Sequence, residues 1–429
     1  MWWLLACTSE PPPALSRPDV LLVVLDTVRA DHLATYGYER DTSYQLDAVA
    51  AAGVVFEDVT VSGTWTWPGH AALFTGEPPW ITGAHYVDVD AEVPVQRMRT
   101  DLPTLAERFA GAGYTTVSHS TNRLLDPEMG LVRGFQTAEI HETDAETVAA
   151  ATAAMRSAEA PLLLFVNLLS AHAPYFVVDG VPWSGRHRQA LEGAEEGTTL
   201  GTMRVEARGE VGLDPGQHCE GFRCDLKWTA GNWEIRPEEL AMIADLYDGN
   251  LVQVDHALKT LIGAWDKGGV VAVTSDHGEF LGEHRMLQHR LVTLPPVLEI
   301  PLVVVGPGLE AGGRVSTPVQ LLDLYPTLLE MAGIAEPEWS LSDAAAGVPR
   351  PGRIEAAAWP DPRLASVPFV AQRWGYVREG ERWGAASGGL VVGDEGLAEE
   401  ARAVGSNELG GGGLMSEEHL ERLRALGYL

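Results

Sequence analysis

Positive charge is scarce in this chain: 30 Lys and Arg stand against 60 Asp and Glu, a formal net charge of −30. A surface of that sign repels nucleic acid and anionic lipid and offers no groove for a phosphate backbone. An anionic substrate would have to be met by local cations, most simply metal ions, although acidity also serves solubility. Cysteine is scarcer, with three in 429 residues. Cys219 and Cys224, in Q-H-C-E-G-F-R-C, are expected to close a small disulfide loop in an oxidising compartment. A zinc pair would need a second Cys pair that the chain lacks, and two unrelated free thiols are the other reading. Also missing are an internal repeat and any segment long and apolar enough to span a membrane.

What is present suffices for a large core: 45% of the 429 residues are hydrophobic, enough for one large α/β domain or a main domain with a smaller one. Val20–Leu25 (V-L-L-V-V-L) is an uninterrupted apolar run, as in a strand buried on both faces of a parallel sheet, and Asp26 ends it. Further buried strands are expected at 161–169, with His172 just beyond, at 270–274, ending in Ser275-Asp276-His277-Gly278, and at 301–305, closed by Gly306-Pro307-Gly308. Other strands are expected at 54–61 and 114–118. Helical periodicity marks 46–52, 102–112, 146–158, 246–265 and 320–331. From 179 to 233 the texture changes to Gly, charge and Trp, an insertion over the sheet edge or the site. Trp183, Trp228 and Trp233 there offer aromatic faces to a sugar or to core packing. The chain divides into a leader and Pro-rich linker (1–19), a main domain (20–335) and a smaller C-terminal α+β portion (336–429) with a weakly specified strand pair and a final helix near 416–426. Alternating strands and helices predict a doubly wound, mixed but mostly parallel α/β sheet.

One stretch organises the chemistry: W-T-W-P-G-H-A-A-L-F-T-G, residues 65–76. Pro is favoured at a first helical position, so Thr66, two residues before Pro68, is expected at the mouth of a short helix, facing free N–H groups and the positive dipole end. Taken alone, Thr66 is a cap. Asp26, Asp276 and His277 at strand ends, with the Thr66 hydroxyl, form an oxygen-rich set suited to one divalent cation such as Mg, Ca, Mn or Zn. Such an ion would lower the pKa of the Thr hydroxyl and polarise an ester.

The chain resembles the sulfatase family of the alkaline-phosphatase-like superfamily from about residue 18 to residue 334. The resemblance rests on V-L-L-V-V-L-D-T-V-R-A-D-H-L-A-T-Y-G-Y, T-W-P-G-H-A-A-L-F-T-G, F-V-N-L-L-S-A-H-A-P-Y, L-Y-D-G-N-L-V-Q-V-D, T-S-D-H-G-E-F-L-G-E-H, I-P-L-V-V-V-G-P-G and L-L-D-L-Y-P-T-L-L-E-M-A-G-I. It implies that Asp26, Asp276 and His277 hold the metal and that Thr66 occupies the nucleophile position. It further implies that His172 and His289 contact the transferred group or protonate the leaving oxygen, and that Arg29 and His70 orient the site. Sulfatases proper carry Cys or Ser, oxidised to formylglycine, where Thr66 stands. Thr cannot be so oxidised, and Gly69 stands where the recognition signal has Ser, so no formylglycine is expected. Thr27 replaces the second Asp of the usual pair, and Asn122 lies where many members carry Lys and His. Thr nucleophiles serve the phosphodiesterases and phosphoglycerol-type transferases of the superfamily, so phosphoryl chemistry on a small-molecule, glycan or lipid ester is expected. The competing expectation is a surface-anchored protein that keeps the fold and only binds.

Met1–Cys7 (M-W-W-L-L-A-C) resembles the processing box of a bacterial lipoprotein. It has no basic region before it, and its apolar run is shorter than the roughly 7–15 residues of a secretory signal core. An upstream start codon would repair that fit, and a frayed apolar N-terminus with a chance Cys is the other reading. The resemblance implies lipidation at Cys7 and an extracytoplasmic, lipid-anchored protein in the periplasm or at the cell surface. Contact with membrane would be through that anchor alone.

Overall fold

Every side chain of Val20–Leu25 is buried, and the strand lies inside an eight-stranded sheet. The computed structural model describes residues 17–85, 95–158, 161–189, 237–289, 292–359, 373–379, 382–387 and 390–404, with residues 416, 418 and 421. Strand order across the sheet is Gly313–Val315, Val54–Phe56, Leu302–Val305, Val270–Thr274, Val20–Leu25, Leu162–Leu168, Thr115–Ser120 and Thr137–Ile140. Leu302–Val305 runs antiparallel to both neighbours; the other pairs are parallel.

Alternation along the strands separates two cores. Val20, Leu22 and Val24 face one, with Leu73, Phe74, Phe109 and Leu328 from helices Thr66–Thr75, Leu105–Gly111 and Leu324–Met331. Leu21, Val23 and Leu25 face the other, with Leu46, Val148, Met155, Leu251 and Leu258 from helices Tyr44–Ala52, Asp144–Ser157 and Pro237–Ala264. Helices therefore cover both faces, the doubly wound, mostly parallel arrangement that alternating apolar runs predict. Helices Leu105–Gly111 and Asp144–Ser157 each start with a capping box, Thr104 with Glu107 and Thr143 with Glu146.

Three features depart from the sequence expectations. The run 54–61 splits, because Val59–Thr60 leaves the main sheet to pair with Val319–Gln320. Thr137–Ile140 and Gly313–Val315, both edge strands, carry no apolar run that would announce them. The C-terminal strand pair is a four-stranded antiparallel sheet, Ile354–Ala358, Trp374–Glu379, Arg382–Ser387 and Leu390–Gly393. Its Ala- and Gly-rich strands hide it from propensity, and the same small residues let helix Glu395–Ala401 lie on it. A Cβ at Gly375 would stand 1.9 Å from Ala401 O, and one at Gly384 2.2 Å from Ala398 N. Ala357 N donates to Ser62 O (3.0 Å) and Gln320 Nε2 to Glu355 O (2.8 Å), tying this sheet to the segment just before Thr66.

Among the described residues, no helix is long and apolar enough to cross a membrane. Cys7, Cys219, Cys224, Trp228 and Trp233 lie outside the described residues, as does most of the 179–233 insertion. Trp183 is inside them, in the short helix Pro182–Gly185, with the Arg40 guanidinium 5.5 Å from its ring centroid.

Candidate active site

Four neighbouring parallel strands end at one edge of the sheet, and each delivers part of a buried polar cluster there. This is the edge where parallel α/β sheets place their ligands. Val270–Thr274 leads to Asp276 and His277, Val20–Leu25 to Asp26, Leu162–Leu168 to His172, and Thr115–Ser120 to Asn122. The loop after Val20–Leu25 is clamped from two sides. Val28 N donates to Ser275 Oγ (3.0 Å), which itself donates to His277 O (2.7 Å). Tyr247 OH donates to Thr27 O and accepts from Arg29 N, both 2.9 Å. Thr27 has φ 60°, an unfavoured conformation for a β-branched residue, which the clamp holds in place.

Asp26, Asp276 and His277 are fully buried, and one donor atom from each lies within 4.8 Å of the others. Among the described residues, Asp26 Oδ1 and Asp276 Oδ2 have no hydrogen-bond partner, although imidazole nitrogens of His70 and His277 lie 3.3 and 3.4 Å from Asp276 Oδ2. His277 Nδ1 is 2.9 Å from Gly278 O. A carbonyl can only accept, so Nδ1 carries the proton and Nε2 is the basic nitrogen. Burial and the neighbouring Asp276 charge push the Asp26 carboxyl well above its usual range, against the Asn122 and Asn167 amides that stabilise its charge. Burial acts on Asp276 in the same direction, but the imidazoles of His277 and His70 overcome it and hold the group at about 2. Two buried carboxylates with converging, unsatisfied oxygens and a basic imidazole nitrogen fit a divalent cation, whose charge would relieve both.

Helix Thr66–Thr75 is buried along its whole length, and extended Trp65 is its N-cap. Thr66 is therefore the first helical residue and Pro68 the third, not the first. The N-cap position is thus held by Trp65 and not by Thr66. The Thr66 hydroxyl is engaged elsewhere: Asn122 Nδ2 lies 2.8 Å from Asp26 Oδ2 and 3.3 Å from Thr66 Oγ1. Asn122 is itself fixed, its Oδ1 accepting from Leu124 N and its N–H donating to Ser120 Oγ, both 2.9 Å. Asn167 Nδ2 adds a second donor to Asp26 Oδ2 at 3.3 Å. One turn along the helix, His70 Nδ1 stands 3.1 Å from Thr66 O and 3.3 Å from Asp276 Oδ2.

Gly69 sets the distance between this helix and the Asp276 loop, since a Cβ there would stand 2.6 Å from Asp276 O, a backbone atom. Gly69→Ser, which would restore the residue of the oxidation signal, is expected to push the two apart and destabilise the protein by about 1–3 kcal/mol. Urea unfolding midpoints measure this, and an unchanged midpoint would disprove the close approach.

The loop after Leu162–Leu168 is pinned by Asp144, which accepts from Leu169 N and Ser170 N, both at 2.8 Å. Asn250 grips it further on, donating to Phe176 O at 2.8 Å. Within it, His172 Nδ1 bonds to Ala173 O, so its Nε2 is the basic nitrogen. The His172 ring centroid is 5.2 Å from that of His289, which is 4.2 Å from that of His277. His289 Nδ1 pairs with buried Glu279 Oε1 at 3.1 Å. Arg29 is placed differently. Its guanidinium is consumed by Asp31 (2.9 and 2.7 Å), Glu283 (2.6 Å) and Glu279 O (2.9 Å), so it braces the 279–283 segment. Asp144, Asn167, Asn250 and Glu279 were not singled out in the sequence. Only their positions beside strand ends or next to D-H-G would have flagged them.

The fold and this strand-end cluster define a hydrolase of the alkaline-phosphatase-like fold. The sequence profile of the sulfatase family matches residues 18–334, and the chain belongs to that family, whose members are ester hydrolases using a divalent metal ion. It is similar to Delta 4,5-hexuronate-2-O-sulfatase of Bacteroides thetaiotaomicron, 23% identical over 355 residues that cover 78% of this chain and 72% of that one. Among solved structures, a 2-O GAG sulfatase superposes with TM-score 0.63 at 18% identity, covering 96% of this chain and 91% of the other. Phosphonate monoester hydrolase of Agrobacterium radiobacter does so with TM-score 0.60 at 18% identity, covering 96% of each chain.

Proposed function

We propose that this protein cleaves a phosphate-type ester with Thr66 as nucleophile, in preference to the formylglycine chemistry of sulfatases proper. The observation that carries the reading is the single amide of Asn122, which bridges Thr66 Oγ1 and Asp26 Oδ2 and so sets the hydroxyl beside the carboxylate cluster. One divalent cation held by Asp26, Asp276, His277 and the Thr66 oxygen would supply positive charge that favours the alkoxide and polarises the ester. Thr66 Oγ then bonds to phosphorus as the leaving oxygen departs in line. The free helix N-terminus at Thr66 offers N–H groups to the transferred group. His172 Nε2, once protonated, stabilises its equatorial oxygens. His289, oriented by Glu279, donates its Nε2 proton to the leaving oxygen. Water or an acceptor alcohol releases the threonyl ester. A sulfate on Thr66 would lack the second hydroxyl through which an aldehyde hydrate expels sulfate, which is why phosphoryl transfer suits this residue better.

The relatives' sugar sulfates and phosphonate monoesters support a substrate that is a small-molecule, glycan or lipid ester. The L-L-A-C box supports an extracytoplasmic, lipid-anchored location through Cys7. A panel of aryl sulfate, phosphate monoester, phosphodiester and phosphonate substrates in divalent cation tests the chemistry. Phosphodiester or monoester turnover is expected, and aryl sulfate turnover alone would overturn the preference. His289→Ala is expected to slow esters of alkyl alcohols by about 10²–10⁴-fold and nitrophenyl esters far less, since nitrophenolate leaves without a proton. Equal losses on the two would remove His289 from the general-acid role.

A further inference from the structure

Outside this site, two His and one Glu converge at the far edge of the sheet. His119 lies in Thr115–Ser120 and Glu139 in the edge strand Thr137–Ile140, and the two residues are register partners in parallel strands. Register partners project to the same face, and His141, two residues past Glu139, returns to it. His141 N donates to Ser120 O at 2.8 Å, so the chain is still held beside its neighbour at that point. The result is that His119 Nδ1 stands 3.1 Å from His141 Nε2 and 3.6 Å from Glu139 Oε2, with His141 Nε2 and Glu139 Oε2 4.0 Å apart. Donors bound tetrahedrally to one zinc ion at about 2.0–2.1 Å stand about 3.3–3.4 Å from one another, within a few tenths of an ångström of these separations.

We propose that His119, Glu139 and His141 form a second metal site, selective for borderline transition ions such as Zn²⁺ or Co²⁺. Two imidazoles and one carboxylate favour such ions over Ca²⁺ or Mg²⁺, and three protein ligands leave a position open to water or a further donor. His119 is buried and set by its strand, whereas Glu139 is exposed and free to close the last few tenths of an ångström. The site lies on the face shared with Val117 and the second core, opposite Ser120, whose hydroxyl supports Asn122. An ion there would staple the edge strand Thr137–Ile140, paired on one side only, to the strand that leads into Asn122. This inference is independent of the nucleophile assignment.

The test is a Co²⁺ titration of the full chain in excess Mg²⁺, followed by the visible absorption of the bound ion and by competition with Zn²⁺. One equivalent is expected to bind in the wild type and in Asp276→Asn alike. His141→Ala and Glu139→Gln, both at partly or fully exposed positions, are expected to weaken it by more than the about 10–100-fold that loss of an outer partner costs. No bound equivalent in the wild type would overturn the proposal, as would one that survives both substitutions or one that Asp276→Asn removes.

Discussion

Thr66→Ala is expected to lower turnover by about 10⁴-fold or more, the scale on which removing a nucleophile acts elsewhere, while Thr66→Ser keeps measurable activity. The reason is local. Thr66 is the first residue of a helix buried along its whole length, Trp65 is the N-cap, and Asn122 Nδ2 donates to the Thr66 hydroxyl. Deleting the hydroxyl therefore removes the attacking atom with little cost to the helix, because no cap is lost. Stability should change by much less than activity, and chemical denaturation separates the two. In a rapid quench with a slow phosphate ester, a phosphoryl group should be found on the peptide carrying Thr66 in the wild type and not in Thr66→Ala. Turnover that survives in the alanine variant would sink the nucleophile assignment, because Thr66 Oγ1 is the hydroxyl that shares the Asn122 amide with the Asp26 carboxylate.

Asp276→Asn is expected to abolish most of the stability that a divalent cation adds to the protein. Without cation, burial and then the Asp276 charge hold the Asp26 carboxyl well above its usual range. The amide relieves Asp26 of that charge but forfeits the His277 and His70 attractions that hold Asp276 at about 2, so in chelator the variant should melt somewhat below the wild type. With a divalent ion at 100 times its Kd, the wild type gains about 2.7 kcal/mol and the variant, with one ligand charge lost, gains far less. Activity should fall with the affinity. The pH dependence carries the same signature. The folded pKa of Asp26 is raised, so the folded state binds more protons than the unfolded one, and cation-free stability falls as pH rises from about 4, the unfolded carboxylate value, through the raised value. Asp276 has the opposite sign: its contribution is present above the unfolded value and lost as pH falls through about 2. Above the unfolded range only the Asp26 slope remains, and it should flatten in Asp276→Asn and in excess cation. Thermal melts in chelator and in Mg²⁺ at several pH values measure all of this. An equal rise in melting temperature with Mg²⁺ in wild type and variant would remove the cation from this cluster.

The sheet was legible where burial is two-sided. Val20–Leu25 and Val270–Thr274 match their expected limits because a strand covered on both faces must be apolar at every position. Edge strands such as Thr137–Ile140, half exposed, leave no such trace. The same contrast divides the site. Asp26, Thr66, Asp276 and His277 stand out because they interrupt or follow apolar runs and match a family pattern. Asn167 and Asp144 act through partners far away in sequence, 141 residues from Asn167 to Asp26 and 25 from Asp144 to Leu169, and no local pattern encodes such a pairing.

The sequence by itself thus determined the family, the doubly wound sheet and the ligand-type residues, because apolar periodicity and residue order are written along one dimension. Tertiary structure alone decided that Thr66 does not act as a cap, that Arg29 braces a loop instead of facing the cluster, and that His119, Glu139 and His141 meet. Each of those is a distance of a few ångströms between strands or helices brought together by burial of the apolar faces that pack them.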